Sequence, residues 1–384
     1  MTDAPSALAP APAGWVIRRT GEPTGDSVRI WGLAPEERLL RALRRAGCRD
    51  PRVVDALAPP AEPGTVLALR ADLVLDERLV SGLRAAPDTL LVARELGPVG
   101  VHVSGERARA ACDALARADA DALPELRRAA PHELAPDYVA KLRKREPAYV
   151  FPARPDTAAE VELRTFAASY KGLTDLVTKW VWPRPAQAVV RWCAQHGISP
   201  NAVTLVSGVL AVAAALLFAR GAFGAGLVCG WMMTFLDTVD GKLARVTLTS
   251  SRIGDVMDHG LDLIHPPFWW WAWGIGLGAG HELATAIVVG GYLVGRALEG
   301  AFLARFGFET HSWRPIDGLF RTITARRNPN LILLSVGALG GRPDLGLVMV
   351  ALWTIASLGF HALRLAQAET LRTRGASPTP WEEA

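Results

Sequence analysis

The feature that most constrains the fold is a series of uncharged apolar runs in the second half of the chain. The first run, 201–219, has 19 residues without a charged side chain, and a helix of that length crosses the ~30 Å of hydrocarbon in a bilayer. The fourth and fifth of the six runs have only 13 residues each. We therefore predict an α-helical polytopic membrane domain with six transmembrane helices, or five as the alternative. The later runs are 221–236, 263–280, 283–295, 329–341 and 345–363.

The basic residues between the runs predict the orientation of this domain. Lys and Arg are concentrated in the second-to-third and fourth-to-fifth connections and after the last run, whereas the three opposite connections contain only Arg220 and Arg342. Connections rich in Lys and Arg remain in the cytoplasm. We expect a multi-pass protein of the cell inner membrane, with both termini and the active site on the cytoplasmic side.

The first half of the chain has the composition of a soluble domain. Between residues 15 and 130, short β-type runs alternate with amphipathic helical patterns, which is typical of a small α/β domain with a largely parallel sheet. The expected strands are 15–18, 28–31, 66–69, 89–93 and 99–103, and the expected helices are 34–43, 77–84 and 106–118.

The flanking segments have simpler predicted roles. Residues 1–14 lack the basic start and apolar core of a signal peptide, which predicts a disordered lead-in. The Pro-rich, charged residues 131–172 predict a linker. Residues 173–197 mix Trp and Val with Lys and Arg, as in a helix lying at a membrane surface, broken at Pro183 and Pro185; a packed juxtamembrane elbow is an equal alternative. The membrane domain then covers 198–370, and 371–384 form a cytoplasmic tail.

Net charge and cysteine content restrict the possible partners only weakly. A net charge of +4 gives no argument for nucleic acid, and we expect no such partner. The four cysteines are far apart and form no CxxC pair, which favours reduced structural thiols over a metal site or a disulfide framework.

Acidic residues cluster where the second apolar run ends. Asp237 and Asp240 are three residues apart, and at ~100° per residue they share one side of a helix with the small residues that follow. Asp258 and Asp262, four residues apart, share a face of the next helix. Two neighbouring helices can therefore direct four carboxylates to one point at the cytoplasmic membrane surface.

Four carboxylates so close together repel one another unless cations neutralise them. Hard oxygen ligands without Cys or His suit Mg²⁺ or Mn²⁺, and metal ions beside a membrane indicate phosphate chemistry. The small residues Gly241, Ala244 and Gly254 leave room for a flat base and a diphosphate, and Arg245 can pair with phosphate. The alternative is a metal-dependent membrane transporter whose pathway these acids line.

The spacing of these residues, D-x2-D-G-x2-A-R-x8-G-x3-D-x3-D, resembles the signature of the CDP-alcohol phosphotransferase (CDP-alcohol phosphatidyltransferase) family at all eight fixed positions. Residues 197–204 also resemble the family's entry into its first span, and the resemblance covers about 165–370. It implies a six-helix enzyme of phospholipid or related membrane-alcohol synthesis. Such an enzyme transfers a phosphatidyl or phosphopolyol group from a CDP-alcohol to an acceptor hydroxyl and releases CMP.

The same resemblance implies roles for single residues. Asp237, Asp240 and Asp258 would hold the metal, and Asp262 would complete the metal site and act as the general base on the acceptor hydroxyl. Asp255 lies on the same helical face but outside the signature, and we expect it to be an exposed acid of the first turn. The CDP-binding residues would be Asp240, Gly241, Ala244, Arg245 and Gly254.

The substrates themselves stay open. The donor is either CDP-diacylglycerol or a soluble CDP-polyol such as CDP-inositol, and at least one of donor and acceptor is expected to be a lipid. Membrane lipids are further partners, and a homodimer is left open.

The basic connection between the fourth and fifth runs has two possible roles. It either sets topology and attracts anionic lipid, or it binds a phosphate group, which we favour. Arg296 and Glu299 alternatively pair with each other. Candidate acceptor or phosphate ligands are Arg296, Arg314, Arg326 and Arg327.

Parts of the N-terminal domain, 32–47 and 69–77, resemble a sugar-phosphate nucleotidyltransferase. The glycine-rich basic loop that such an enzyme needs after its first strand is missing, since 17–21 is a poor substitute. Asp72 is a candidate remnant of a metal-binding aspartate, although a lone Asp after a strand more often caps a helix. We predict a degenerate, non-catalytic domain at 15–130.

Overall fold

The structure is a computed structural model that describes residues 10–18, 28–139, 142–250 and 252–381, apart from the side chains of 252–259, 261 and 262. The described residues form two compact units. The first contains those up to Val139 together with Arg145–Ser169 and Val246–Thr249, and the second contains the others. Of the predicted lead-in, residues 1–9 lie outside the described part, and Ala13 and Gly14 already belong to a strand.

The strands of the chain, in order, are β1 (Ala13–Arg18), β2 (Arg49–Asp55), β3 (Thr65–Arg70), β4 (Leu73–Leu75), β5 (Thr89–Ala93), β6 (Gly97–Ser104), β7 (Arg127–Ala129), β8 (Tyr138–Val139), β9 (Lys144–Arg145) and β10 (Val150–Pro152). The first unit is built on a sheet with the order β2-β1-β3-β6-β5-β7. Strand β1 is parallel to β2 and β3, and β5 is parallel to β7. Because β6 runs antiparallel to both β3 and β5, the sheet is mixed.

The helices of the first unit are α1 (Pro35–Arg45), α2 (Glu77–Ala85), α3 (Ala108–Arg117), α4 (Pro131–Leu134) and α5 (Ala158–Ala168). Successive strand residues face opposite sides of a sheet. Val16 and Leu67 accordingly pack in one core with α1 and α2, whereas Trp15 and Val66 pack in a second core with α3. The unit is therefore a sheet covered by helices on both faces, as expected for an α/β domain.

Two parts of the N-terminal prediction are wrong. Residues 28–31 do not form a strand: Ile30 and Leu33 form an isolated bridge around a turn at Trp31, whose φ is 53°. The buried Trp31 donates its backbone N–H to Glu162 at 2.8 Å and its indole N–H to Thr165 at 2.8 Å. The β-type composition of this segment thus reflects burial of the aromatic ring and not strand pairing.

Residues 131–172, predicted as a linker, contain regular structure. They include α4, β8, β9, β10 and α5, and β10 pairs antiparallel with β4. Because Glu162 and Thr165 of α5 bind Trp31, residues Arg145–Ser169 belong to the α/β unit.

The second unit is helical. Its helices are α6 (Pro183–Gln195), α7 (Pro200–Ala219), α8 (Phe223–Val246, whose last residue belongs to the first unit), α9 (Arg252–Leu277), α10 (Glu282–Phe306), α11 (Pro315–Arg321), α12 (Arg327–Leu339) and α13 (Pro343–Thr373). Six of them, α7 to α10, α12 and α13, coincide with the six apolar runs. Within the described residues, α7, α10 and α13 are long and apolar enough to cross a membrane. Six spans remain a prediction.

The predicted interfacial segment consists of two helical pieces. A single π-helical turn, Val177–Val181, precedes α6, which begins at Pro183. Proline is tolerated in a first helical turn, where its missing N–H has no intrahelical partner. The side chains of Trp180 and Trp192 are exposed, and the placement of this segment at a membrane surface stays a prediction.

Aromatic residues and close helix contacts form the core of the second unit. Trp269, Trp270 and Trp273 are fully buried, and the indole N–H of Trp269 donates to the carbonyl of Ala211 at 2.8 Å. At Gly291 on α10, a Cβ atom would lie 2.3 Å from the methyl group of Thr354 on α13. Glycine there allows α10 and α13 to pack closely, as is typical of membrane helices.

Candidate functional site

The first half of the aspartate motif lies near the C-terminal end of α8. Asp240 is almost fully buried, and the hydroxyl of Thr204 on α7 donates to its Oδ2 at 2.6 Å. The same hydroxyl oxygen lies 3.1 Å from the carbonyl oxygen of Pro200, the weaker of its two acceptors. The segment 197–204, which precedes and opens α7, therefore holds a carboxylate of the motif in a fixed orientation.

Asp237 contacts α12, a different neighbour of α8 from the one that contacts Asp240. Its Oδ2 accepts from Nη2 of Arg327 at 2.5 Å, and both side chains are largely buried. Arg327 is the first residue of α12. The ion pair thus brings the start of α12, and the basic residues before it, to the motif.

Gly241 gives space to Arg245 one turn later on α8. A Cβ atom at Gly241 would lie 3.1 Å from Nη2 of Arg245, a distance at which the guanidinium would have to move. Between them in sequence, the buried Lys242 places its Nζ 3.8 Å from the ring centroid of Tyr170, in the range of a cation–π contact. Burial raises the pKa of Tyr170 to about 12, so this ring remains a neutral phenol.

The second half of the motif is not described at side-chain level. Gly254, Asp258 and Asp262 lie on the helical backbone of α9, as does Asp255, but their side chains fall outside the described residues. Their convergence with Asp237 and Asp240 remains a prediction.

A cavity of about 790 Å³ opens beside the motif within the second unit. One wall is formed by Asp237, Gly241 and Arg245 of α8. Three of the four predicted phosphate ligands, Arg296, Arg326 and Arg327, also line the cavity, and we call this arginine-bearing part of the lining the basic wall. The fourth, Arg314, is exposed, and its guanidinium lies 4.5 Å from the ring centroid of Trp313.

Glu299 is the centre of the basic wall. Arg296 forms an ion pair with it, Nη2 of Arg326 lies 2.5 Å from its Oε2, and Nε2 of His311 lies 3.2 Å from its Oε1. Arg296 thus forms the pair with Glu299 that the sequence offered as an alternative to phosphate binding, and its role as a phosphate ligand stays a prediction. Ligand atoms of Glu299, His311 and His361 lie within 4.8 Å of one another. Because the guanidinium groups of Arg296 and Arg326 already neutralise the Glu299 carboxylate, this cluster is better suited to bind an anion than a metal ion.

Arg321 adds an unsatisfied cation to this wall. Its Nε and Nη1 atoms are buried without a hydrogen-bond partner among the described residues. Burial and the neighbouring charge of Arg326 lower the pKa of Arg321 to about 9. Burial, reinforced by Arg326, also holds the pKa of His311 well below its usual range, so the imidazole is neutral. Unpaired buried guanidinium donors require an acceptor, and a phosphate group supplies one.

Comparison with known proteins identifies this region. Residues 197–325 match the family model described as CDP-alcohol phosphatidyltransferase. They form a CDP-alcohol phosphatidyltransferase domain. The match begins at the segment that carries Thr204 and includes both halves of the aspartate motif.

Curated relatives of the transferase domain are enzymes that the chain matches in part. It is 34% identical over 160 residues to the bifunctional IPC transferase and DIPP synthase of Rubrobacter xylanophilus, covering 39% of this chain and 33% of that protein. It is 29% identical to the phosphatidylinositol phosphate synthase of Mycobacterium marinum, covering 26% of this chain and 45% of that protein. With cholinephosphotransferase 1 of Xenopus laevis the identity is 31%, covering 27% of this chain and 28% of that protein. The chain thus matches less than half of the length of each of these relatives.

Solved structures of Mycobacterium tuberculosis phosphatidylinositol phosphate synthase are also similar. The structure with CDP-DAG bound is 20% identical, with a TM-score of 0.39, and covers 47% of this chain and 94% of its own. The complex with manganese and citrate is 21% identical, with a TM-score of 0.38, and covers 47% and 88%.

The second unit also contains polar contacts that the sequence analysis did not predict. Asp175 accepts from the backbone N–H groups of Val177 and Thr178, and from Nδ2 of Asn328 at 2.9 Å. Burial raises the pKa of Asp175, but the Asn328 hydrogen bond and the charge of Arg321 outweigh it, and the net pKa is lowered. The ionised Asp175 thereby fixes the juxtamembrane segment to the start of α12. The Arg-Arg-Asn sequence at 326–328 was the available signal for this contact.

Proposed function

We propose that this protein is a metal-dependent membrane enzyme that transfers a phosphoalcohol group from a CDP-alcohol to an acceptor hydroxyl and releases CMP. One observation carries the proposal: in a domain that matches the CDP-alcohol phosphatidyltransferase family, the aspartate-bearing wall and an arginine-rich wall face the same cavity. Carboxylates with a bound metal can hold the diphosphate of a CDP-alcohol, and the arginines beside them can bind a further phosphate group.

Asp237, Asp240, Asp258 and Asp262 would hold Mg²⁺ or Mn²⁺. The proposed donor set consists only of carboxylate oxygens, which these cations prefer. The bound metal would neutralise the diphosphate of the donor and the charge that develops on CMP. Thr204 fixes the orientation of Asp240, and Arg327 balances the charge of Asp237.

The donor would lie along α8. Gly241 and Ala244, with Gly254 on α9, leave space for the cytidine and the diphosphate to approach the helix backbones. The guanidinium of Arg245, which lies over Gly241, is placed to pair with a phosphate oxygen of the donor.

Asp262 would act as the general base. It accepts the proton of the acceptor hydroxyl while the hydroxyl oxygen attacks the β-phosphorus of the donor. The new bond joins that oxygen to phosphorus, and the bond from phosphorus to the bridging diphosphate oxygen breaks. CMP leaves with the bridging oxygen, so the reaction needs no other co-reactant.

The acceptor would carry a phosphate or a similar anionic group. Arg296, Arg321 and Arg326 are half-buried in the basic wall, where their charge exceeds that of Glu299. Two donor atoms of Arg321 have no partner among the described residues. A transporter is not favoured, because the relatives are synthases and transferases. The chain would act in phospholipid or related synthesis at the cytoplasmic face of the inner membrane.

The test of the acceptor site compares Arg326→Gln with Arg314→Gln. A hydrogen bond to a charged group contributes about 1.5–3 kcal/mol, so loss of Arg326 should raise KM for a phosphorylated polyol by about tenfold or more. It should hardly change KM for the corresponding unphosphorylated polyol. Arg314 is an exposed arginine outside the cavity and serves as the matched control.

Steady-state CMP release with both acceptors gives these values. If Arg314→Gln and Arg326→Gln raise KM equally, the phosphate does not bind at the arginine wall. If the unphosphorylated polyol is the better acceptor for the unmodified protein, the acceptor is not a phosphate ester.

A further inference from the structure

The connection between the two halves of the aspartate motif belongs to the α/β unit. Val246–Thr249 directly follows Arg245, the last motif residue on α8, and precedes α9, which carries Asp258 and Asp262. Yet these four residues form part of the first compact unit, with the sheet and its helices. We call Val246–Thr249 the connector.

Two arginines of α1 bind the backbone of the connector. Nη1 of the buried Arg38 donates to the carbonyl of Val246 at 2.5 Å, and Nη1 of Arg41 donates to the carbonyl of Thr247 at 2.8 Å. Val246 is the last residue of α8, where helix carbonyls have no intrahelical partner. The guanidinium groups satisfy these carbonyls and place positive charge at the negative end of the helix dipole.

Leu248 anchors the connector through its side chain. It is 7% exposed and belongs to the core cluster that contains Leu39 of α1 and Leu79 of α2. Its φ of 57° lies in the left-handed region, which a branched side chain rarely adopts. Such a conformation persists where the surrounding structure fixes it, and burial of Leu248 in the α/β core does so.

We propose that the α/β unit serves the transferase domain as a platform that positions the connector, with Arg38, Arg41 and Leu248 as positioning residues. Eight residues separate the motif halves, so the conformation of the connector affects where α9, with Asp258 and Asp262 on its backbone, begins after α8. The unit therefore has a role in metal binding that requires no nucleotidyltransferase activity. This inference rests on the proposed function, because it assumes that the motif holds metal.

The test uses the full-length protein in detergent and compares Arg38→Ala with Arg84→Ala. Arg84 also lies in the α/β unit and donates to a backbone carbonyl, that of Ala46, at 2.5 Å, but that carbonyl is outside the connector. Amide hydrogen exchange of peptides covering 246–253 should accelerate in Arg38→Ala and not in Arg84→Ala. Calorimetry should show Mn²⁺ affinity reduced about tenfold in Arg38→Ala only, as for loss of a group that orients metal ligands.

Two milder variants apply if Arg38→Ala does not fold. Arg41→Gln removes one connector hydrogen bond, and Leu248→Gly permits the left-handed φ while removing the core anchor. Both should weaken Mn²⁺ binding, and Arg38→Lys should restore part of the affinity lost in Arg38→Ala.

Equal exchange rates and equal Mn²⁺ affinities in the Arg38 and Arg84 variants would overturn the proposal. Failure of this proposal can be distinguished from failure of the proposed function. If the unmodified protein binds Mn²⁺ but releases no CMP from any CDP-alcohol, the proposed function fails. The exchange and binding comparison still decides whether the connector is positioned by the α/β unit.

Discussion

At the scale of the residue, the hydroxyl group of Thr204 helps to orient Asp240. Thr204→Val removes the 2.6 Å hydrogen bond to Oδ2 of Asp240 while keeping the shape of the side chain. Loss of a group that orients a metal ligand typically costs about 10–100-fold in metal affinity, and we expect a loss in that range by Mn²⁺ calorimetry. Thr204→Ser retains the hydroxyl and should bind Mn²⁺ nearly normally. Matching affinities in the Val and Ser variants would show that this hydrogen bond does not support metal binding.

The role of Asp262 is separable from that of the other aspartates. If it removes the proton of the acceptor hydroxyl, Asp262→Asn should bind the CDP-alcohol with near-normal affinity but lose about 10²–10⁴-fold in turnover. Asp237→Asn should instead lose donor affinity and turnover together, because it removes a metal ligand. Donor calorimetry beside single-turnover rates makes the comparison. A similar loss of donor affinity in both variants would make Asp262 only a fourth metal ligand.

The sequence predicts only that part of the candidate site that follows from the fixed spacing of the motif residues. The positions of Asp237, Asp240, Gly241 and Arg245 on one helix followed from the motif. Their partners did not, because Thr204 and Arg327 are distant in sequence and meet α8 only through tertiary packing. Arg314 and Arg326 look equivalent in the sequence, and only the fold separates an exposed arginine from one in the cavity.

At the scale of the element, the second half of the chain was more predictable than the first. Apolar runs of 13 to 19 residues fix the positions of the helices, because an uninterrupted apolar run of that length is too long for a typical strand. Strand β2 was missed since its sequence, Arg-Asp-Pro-Arg-Val-Val-Asp, belongs to an edge strand and lacks apolar alternation. The turn at Trp31 was mistaken for a strand because aromatic and β-branched residues favour both buried turns and strands.

At the scale of the whole molecule, the distribution of Lys and Arg predicts the orientation in the membrane. A reporter fused after Thr373, the end of α13, should be active in the cytoplasm. A reporter inserted in the turn at 278–281, between α9 and α10, should be active outside, because that turn contains no basic Lys or Arg residue. External labelling of the fusion after Thr373 would place the aspartate motif on the opposite side and contradict the proposed topology.

One assay tests whether the aspartate motif catalyses metal-dependent release of CMP. Purified protein is supplied with a panel of CDP-alcohols, including CDP-diacylglycerol and CDP-inositol, and with phosphorylated and unphosphorylated polyol acceptors, and CMP is quantified. We predict CMP release with Mg²⁺ or Mn²⁺, none in excess EDTA and none from Asp240→Asn. Asp255→Asn, a change outside the signature, should retain activity. CMP release that persists undiminished in EDTA, or in Asp240→Asn, would contradict the account.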